Sequence, residues 1–310
     1  MKEQFFFPSA AGGCEIKGVR FLPENGRVRG TLQLMHGMME HIGRYDEMAE
    51  YFTQKGWAVY GHSHLGHGLS TNKAYPLGYF GKNNAEGRVF RADAKTVHER
   101  ACADFPDLPH VLFGYSMGSF ICRLCLHDFG DELDAAVICS TGNGDPALSF
   151  GIAASGVLSL VAGKKKATLI DGHLNRGFNA RTEHRTNVDW LSTDLSYMNQ
   201  NGKSDPLCGF VFSNRGYYDL MTMIRAMLRS ETLEKTPRSL PMLFLSGADD
   251  PVGRYSEGVK EAVKRCRETG HDRTELKLYP GRRHEIHLDG GRYDVWADMA
   301  AFLDRVVPPV

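Results

Sequence analysis

Residues 114–118 read Gly-Tyr-Ser-Met-Gly, and a serine set between two glycines can serve as a nucleophile if the chain turns sharply there. A hydroxyl reacts poorly until a base removes its proton, so a histidine and a group to orient that histidine are required. Two later segments offer both. PMLFLSGADDPVG carries Asp249 and Asp250, and ELKLYPGRRHEIH carries His284, with His287 three residues further on. Each stands just past a short apolar run, in the order serine, acid, histidine that a strand-to-helix nucleophile turn predicts. Gly114 and Gly118 allow the sharp reversal that leaves the Ser116 hydroxyl exposed. Acyl transfer also needs donors for an oxyanion, each worth about 100- to 1,000-fold in rate. The backbone N–H of Met117, directly after the serine, is one candidate. Met38, after the His36-Gly37 turn in LQLMHGM, is the other.

The elements that must position these residues follow from periodicity. Thr31–Met35, Trp57–Tyr60, His110–Phe113, Ala135–Cys139, Pro241–Leu245 and Thr274–Tyr279 read as strands. Helical spacing marks Tyr45 to Phe52, Phe90 to Phe105, Phe120 to Gly130, Val259 to Cys266 and Val295 to Val306. Strands alternating with helices predict an α/β fold, a mostly parallel sheet covered on both faces. The alternation fails between about Thr141 and Pro237. That stretch reads as an inserted, mostly helical cap, residues 141–237, with residues 1–140 and 238–310 forming the core.

Composition narrows the function classes. The chain has 310 residues, 42% of them hydrophobic, enough for a large single core. Lys plus Arg and Asp plus Glu are 37 each, and this balance argues against a nucleic-acid partner. The opening MKEQFFFPSAAGG breaks its apolar run at Pro8 and does not read as a secretory signal. Seven cysteines without framework spacing point to a reducing, cytoplasmic setting. Cys122 and Cys125 form a CxxC inside an apolar helical stretch, which reads as two buried thiols. The apolar run Ala147–Gly163 is too short and too rich in Ser and Gly for a membrane span. Beside it, Lys164 to Arg185 holds six basic residues against Asp171 and Glu183. A solvated basic face is the plain reading; transient contact of the cap with a membrane or micelle surface is the functional one.

The stretch HGMMEHIGRYDEMAEYFTQKGWAVYGHSHLGHGLS (36–70), together with GYSMG, SGADDPVG and YPGRRHE, resembles the monoglyceride lipase and lysophospholipase branch of the α/β-hydrolases, the serine aminopeptidase-like family. The resemblance spans essentially the whole chain. It implies an α/β-hydrolase fold with Ser116 as nucleophile, Asp250 rather than Asp249 as acid, and His284 as base. Met38 and Met117 fall on oxyanion-hole positions and residues 141–237 on the cap. It further implies a cofactor-free hydrolase of single-chain acyl esters of glycerol or lysophospholipids, with amides or peptides as the alternative. Two departures stand out: Ser63 where the family usually has Asp, and Tyr115 where it usually has His.

Two rivals carry less. His62, His64 and His67 stand in an HxHxxH spacing that resembles the zinc motif of metallo-β-lactamase-fold hydrolases, but position 66 is Gly, and zinc catalysis needs three well-placed ligands. Local hydrogen bonding is expected of these rings, and no metal. A non-catalytic binding protein on this fold would usually lack one of the three polar partners, and all three are present.

Overall fold

The computed structural model describes residues 1–144, 147–194, 196 and 205–307. Within the expected cap, residues 145–146, 195 and 197–204 lie outside the described residues, as do 308–310 of the expected core. Eight strands form one sheet: β1 (Lys2–Pro8), β2 (Glu15–Phe21), β3 (Gly30–Met35), β4 (Trp57–His62), β5 (His110–Tyr115), β6 (Ala135–Cys139), β7 (Met242–Gly247) and β8 (Thr274–Tyr279). Their order is β1-β2-β4-β3-β5-β6-β7-β8. β2 runs antiparallel to both β1 and β4, and every other pairing is parallel.

Strands β3 to β7 are buried along their whole length. That is why their sequences are continuous apolar runs rather than alternating ones. Helices α1 (Asp46–Gln54), α2 (Arg88–Asp104) and α3 (Met117–Phe129) follow β3, β4 and β5. After the segment that joins β6 to β7, α8 (Glu257–Glu268) and α9 (Arg292–Val306) follow β7 and β8. One face of the sheet packs on α2, α3 and α8 through Phe90, Val97, Ile121 and Val259. The opposite face packs on α1 and α9 through Phe52, Trp57, Trp296 and Leu303. This is the α/β-hydrolase architecture that the motifs implied.

The β1–β2 hairpin is an addition to the sequence reading. In β1 only Phe5 and Phe7 point inward, while Phe6 is half exposed. Gly18 of β2 leaves room for the Phe5 ring, which a Cβ at that position would meet at 2.2 Å. A strand with a glycine under its neighbour's aromatic ring lacks the apolar alternation that marks strands in a sequence. The turn of the hairpin is tied to α2 by Asp93, which accepts from the Ser9 hydroxyl at 2.9 Å and the Ala10 N–H at 2.7 Å.

Between β6 and β7 the chain leaves the sheet for α4 (Leu148–Ala162), α5 (Thr168–Phe178), α6 (Asn214–Met227) and α7 (Ser230–Glu234). The segment is not a detached body: Tyr217, Leu220 and Met223 of α6 join the same core as α2 and α3. α4 buries only Ile152 and Ser155, leaving Phe150, Val157, Leu160 and Val161 in solvent. Among the described residues, no helix is long and apolar enough to cross a membrane.

Burial raises the Asp93 carboxyl to about 6, against the opposing pull of its two hydrogen bonds. The folded chain therefore holds this proton more tightly than the unfolded chain. Between the ordinary carboxyl range and about pH 6, the native state binds the extra proton, and the contribution of Asp93 to stability falls as pH rises through that window. The full effect is on the order of 3 kcal/mol. Urea unfolding across that range should show a shallower decline with rising pH for Asp93→Asn than for the parent chain.

Candidate active site

The strand-end loops of a parallel sheet all open at one edge, and three of them converge here. Ser116 sits between β5 and α3 with φ 51° and ψ −118°, a left-handed conformation unusual for a residue with a side chain. Three backbone bonds hold it: Ser116 N–H to Cys139 O at 3.0 Å, and the N–H groups of Ser119 and Phe120 to Ser116 O at 2.9 and 3.3 Å. The glycines on either side are required by contact rather than by dihedral angle. A Cβ on Gly118 would lie 2.1 Å from the Met35 carbonyl oxygen at the end of β3, and one on Gly114 would lie 2.3 Å from Gly118 O. The turn can approach β3 this closely only without side chains.

His284 Nε2 lies 2.8 Å from Ser116 Oγ. On its other side, His284 Nδ1 is 2.9 Å from each carboxylate oxygen of Asp250. Asp250 is fully buried and accepts the Val252 N–H at 2.9 Å, whereas Asp249 is exposed. His287 is turned away, with Nε2 3.2 Å from the Tyr45 hydroxyl and its carbonyl accepting from the Trp296 indole. Both alternatives left open by the spacing thus point elsewhere in space.

Of three further partners of His284, Ser140 and Trp190 carried no sequence signal, and Tyr115 stood out only as a departure from the family pattern. Ser140, at φ 50°, donates its hydroxyl to the His284 carbonyl at 2.7 Å. Tyr115, one residue before the serine, and Trp190, from the segment between α5 and α6, each place a ring 5.1 Å from the imidazole. Trp190 was invisible because only the folded chain brings it to the strand-end edge.

The loop bearing Met38 is set from below. Glu40 accepts the Gly37 N–H at 2.5 Å and the Tyr45 hydroxyl at 2.8 Å, and pairs with Arg44. Burial pushes the Glu40 carboxyl up, while Arg44 pulls it down. His36 Nδ1–H donates to Gly37 O at 2.8 Å, and His36 Nε2 accepts the His64 N–H at 2.9 Å. His64 Nε2–H returns a bond to His36 O at 3.2 Å. His67 Nδ1–H donates to Leu65 O at 3.2 Å, and its ring lies flat on Phe80. Burial drives all four rings of this group, including His62, well below the ordinary imidazole range, so they stay neutral near pH 7. His64 and His67 each spend one ring nitrogen on a backbone carbonyl and lie against Phe90 and Phe80, whereas neither ring nitrogen of His62 has a hydrogen-bond partner among the described residues. Ser63 accepts only a long bond, 3.5 Å, from Ile42 N–H.

Ser116 and His284 open into a cavity of about 630 Å³. Its core side is lined by Met38, Met39 and Tyr115, and its outer side by Leu174, Phe178, Val188 and Leu191. Met117 is buried beneath the turn. As the first residue of α3, its N–H has no partner one helical turn back, which leaves it available beside Ser116. The positive end of the α3 macrodipole points the same way.

The family model described as serine aminopeptidase, S33 matches residues 26–291. A monoacylglycerol lipase of Mycolicibacterium smegmatis is 28% identical over 95% of both chains. A monoglyceride lipase of Mus musculus is 26% identical over 87% of this chain and 80% of its own. Among solved structures, a highly thermostable carboxyl esterase from Bacillus coagulans in complex with glycerol superposes with a TM-score of 0.89 at 29% identity, covering 99% of both chains.

The contact at Gly118 can be tested without reference to activity. Gly118→Ala should destabilise the chain by at least ~3 kcal/mol, because the obstructing atoms are backbone carbonyls that cannot step aside. The midpoint of urea unfolding measures this, and a midpoint equal to the parent's would contradict the packing described.

Proposed function

The chain belongs to the serine aminopeptidase, S33, family of hydrolases, and from that premise we propose that it cleaves carboxylic esters of single-chain lipids, monoacylglycerols or lysophospholipid-type esters, through an acyl-enzyme on Ser116. The observation that carries the reading is the unbroken line from Asp250 through His284 to Ser116, at 2.9 and 2.8 Å. His284 Nε2 takes the proton as Ser116 Oγ attacks the carbonyl carbon. Asp250 keeps the proton of His284 on Nδ1 and offsets the imidazolium charge. The amides of Met38 and Met117 receive the oxyanion. Collapse breaks the ester C–O bond, and the alcohol leaves with the proton from His284. Water then repeats the sequence and releases the acid.

Ester is favoured over amino-terminal peptide by how the cavity's carboxylates are used. A free α-ammonium needs an acidic partner, yet Glu40 and Glu285 share Arg44, and Asp171 accepts from the Tyr217 hydroxyl and from Asn175. The apolar lining from Leu174, Phe178, Val188 and Leu191 suits an acyl chain. Residues 141–237 act in this reading as the cap. The exposed face of α4, with Leu169 of α5 and Lys164 to Lys166 between them, supports transient docking of that cap at a lipid surface.

Ser116→Ala should abolish turnover of a p-nitrophenyl ester and labelling by a fluorophosphonate, read by gel fluorescence; retained labelling would assign the nucleophile elsewhere. Asp250→Asn should lower kcat by about 10³- to 10⁴-fold, because the wrong imidazole tautomer is then favoured. Asp249→Asn should leave kcat nearly unchanged, and the reverse ranking in steady-state assays would overturn the assignment of the acid. Esters of graded chain length, run beside amino-acyl amides, test the substrate class: faster turnover of the amides would refute it.

A further inference from the structure

At the opposite edge of the sheet from Ser116, a second group of side chains has the donor types and spacing of a metal site. His98 and Cys102 are four residues apart on α2, so both face the same way. His110 opens β5, and Glu132 closes the short turn at Gly130–Glu132 after α3. A ring nitrogen of each histidine and the Cys102 sulfur all lie within 4.8 Å of one another. His98 Nε2 is 3.4 Å from Cys102 Sγ and 3.2 Å from Glu132 Oε2.

These two separations carry the argument. A tetrahedral zinc ion with Zn–S of about 2.3 Å and Zn–N and Zn–O of about 2.0 Å holds its sulfur and nitrogen ligands ~3.5 Å apart and its nitrogen and oxygen ligands ~3.3 Å apart. With His98 Nε2 as one vertex, two edges of such a tetrahedron thus have the expected length. We propose that His98, Cys102, His110 and Glu132 form a structural binding site for a borderline divalent transition-metal ion, zinc first among them.

Several features fit that role. The Thr31 hydroxyl bonds His110 Nδ1 at 2.6 Å, fixing the ring and leaving Nε2 as its remaining donor atom. Such support is what orients histidine ligands. The His98 ring is buried against Phe129, centroids 4.9 Å apart, which holds it in place. Cys102 is partly exposed and Glu132 half exposed, which opens a path for the ion. Lys95 holds both Glu132 oxygens at 2.5 Å and would share that carboxylate with the metal. Ligation replaces the S–H bond by an S–metal bond and releases the thiol proton to solvent. The ion would staple the end of α2 to the start of β5, roughly 20 Å along that strand from Ser116, so its role is stability and not turnover.

Cobalt(II) added to chelator-stripped protein is the test, because a cobalt–thiolate bond gives an intense near-ultraviolet charge-transfer band and tetrahedral cobalt gives strong visible bands. One equivalent should saturate both, zinc should displace it, and the melting temperature should rise. Cys102→Ser should lose the near-ultraviolet band, and His110→Gln should bind cobalt at least tenfold more weakly, each with the parent's circular dichroism spectrum. Absence of the band in the parent chain, its persistence in Cys102→Ser, or equal affinity in His110→Gln would overturn the site.

Discussion

The 2.8 Å hydrogen bond between Ser116 and His284 joins residues 168 apart in sequence, and most of the architecture can be understood as what makes it possible. Parallel strands put all their carboxyl ends at one edge. β5, β7 and β8 therefore deliver the serine, the acid and the histidine to the same rim, although each belongs to a different crossover unit. Loops alone would not hold such a contact, since ordering each residue costs about 1–2 kcal/mol. The buried strands and the two core layers supply the rigidity, and Ser140, Val252 N–H and the tilted rings of Tyr115 and Trp190 restrict what freedom remains.

A second constraint lies beneath the first. The nucleophile turn presses on the end of β3 closely enough that Gly118 has no room for a methyl group. The next residues of that chain, His36 to Glu40, must then reverse direction in a buried space where every polar group needs a partner. His36, His64 and Glu40 meet that need by bonding backbone groups of the loop. Histidines kept neutral by burial do this at little electrostatic cost, and Glu40 does it with Arg44 as its counter-charge. The histidines that could be read as a metal motif are thus neutral rings packed beneath the loop that carries Met38.

The two edges of the sheet divide the labour. The carboxyl edge holds Ser116, His284 and Asp250, the cavity and the helices α4 to α6. The amino edge holds the His98, Cys102, His110 and Glu132 group, where α2 hands the chain to β5. The carboxyl edge opens into a cavity of about 630 Å³ lined in part by apolar side chains, while at the amino edge His110 is tied to the Thr31 hydroxyl.

How much of this could be read from the chain itself follows from the range of the interactions involved. Local patterns carried the parallel-strand core, because continuous apolar runs and helical spacing reflect burial of each element on its own. GYSMG, the paired aspartates and the late histidine were legible because turns need particular residues at fixed offsets. The β1–β2 hairpin was not, since Gly18 under Phe5 makes sense only once the two strands are paired. Nor could spacing choose between Asp249 and Asp250, or between His284 and His287, with family resemblance alone favouring one of each. In the folded chain Asp250 is buried against His284 while Asp249 is exposed, and His284 faces Ser116 while His287, also buried, faces Tyr45. Trp190 and Ser140 are likewise products of tertiary contact, because their partner His284 lies far along the chain, and at the amino edge His98 and Cys102 share a helix face but meet His110 and Glu132 only through folding.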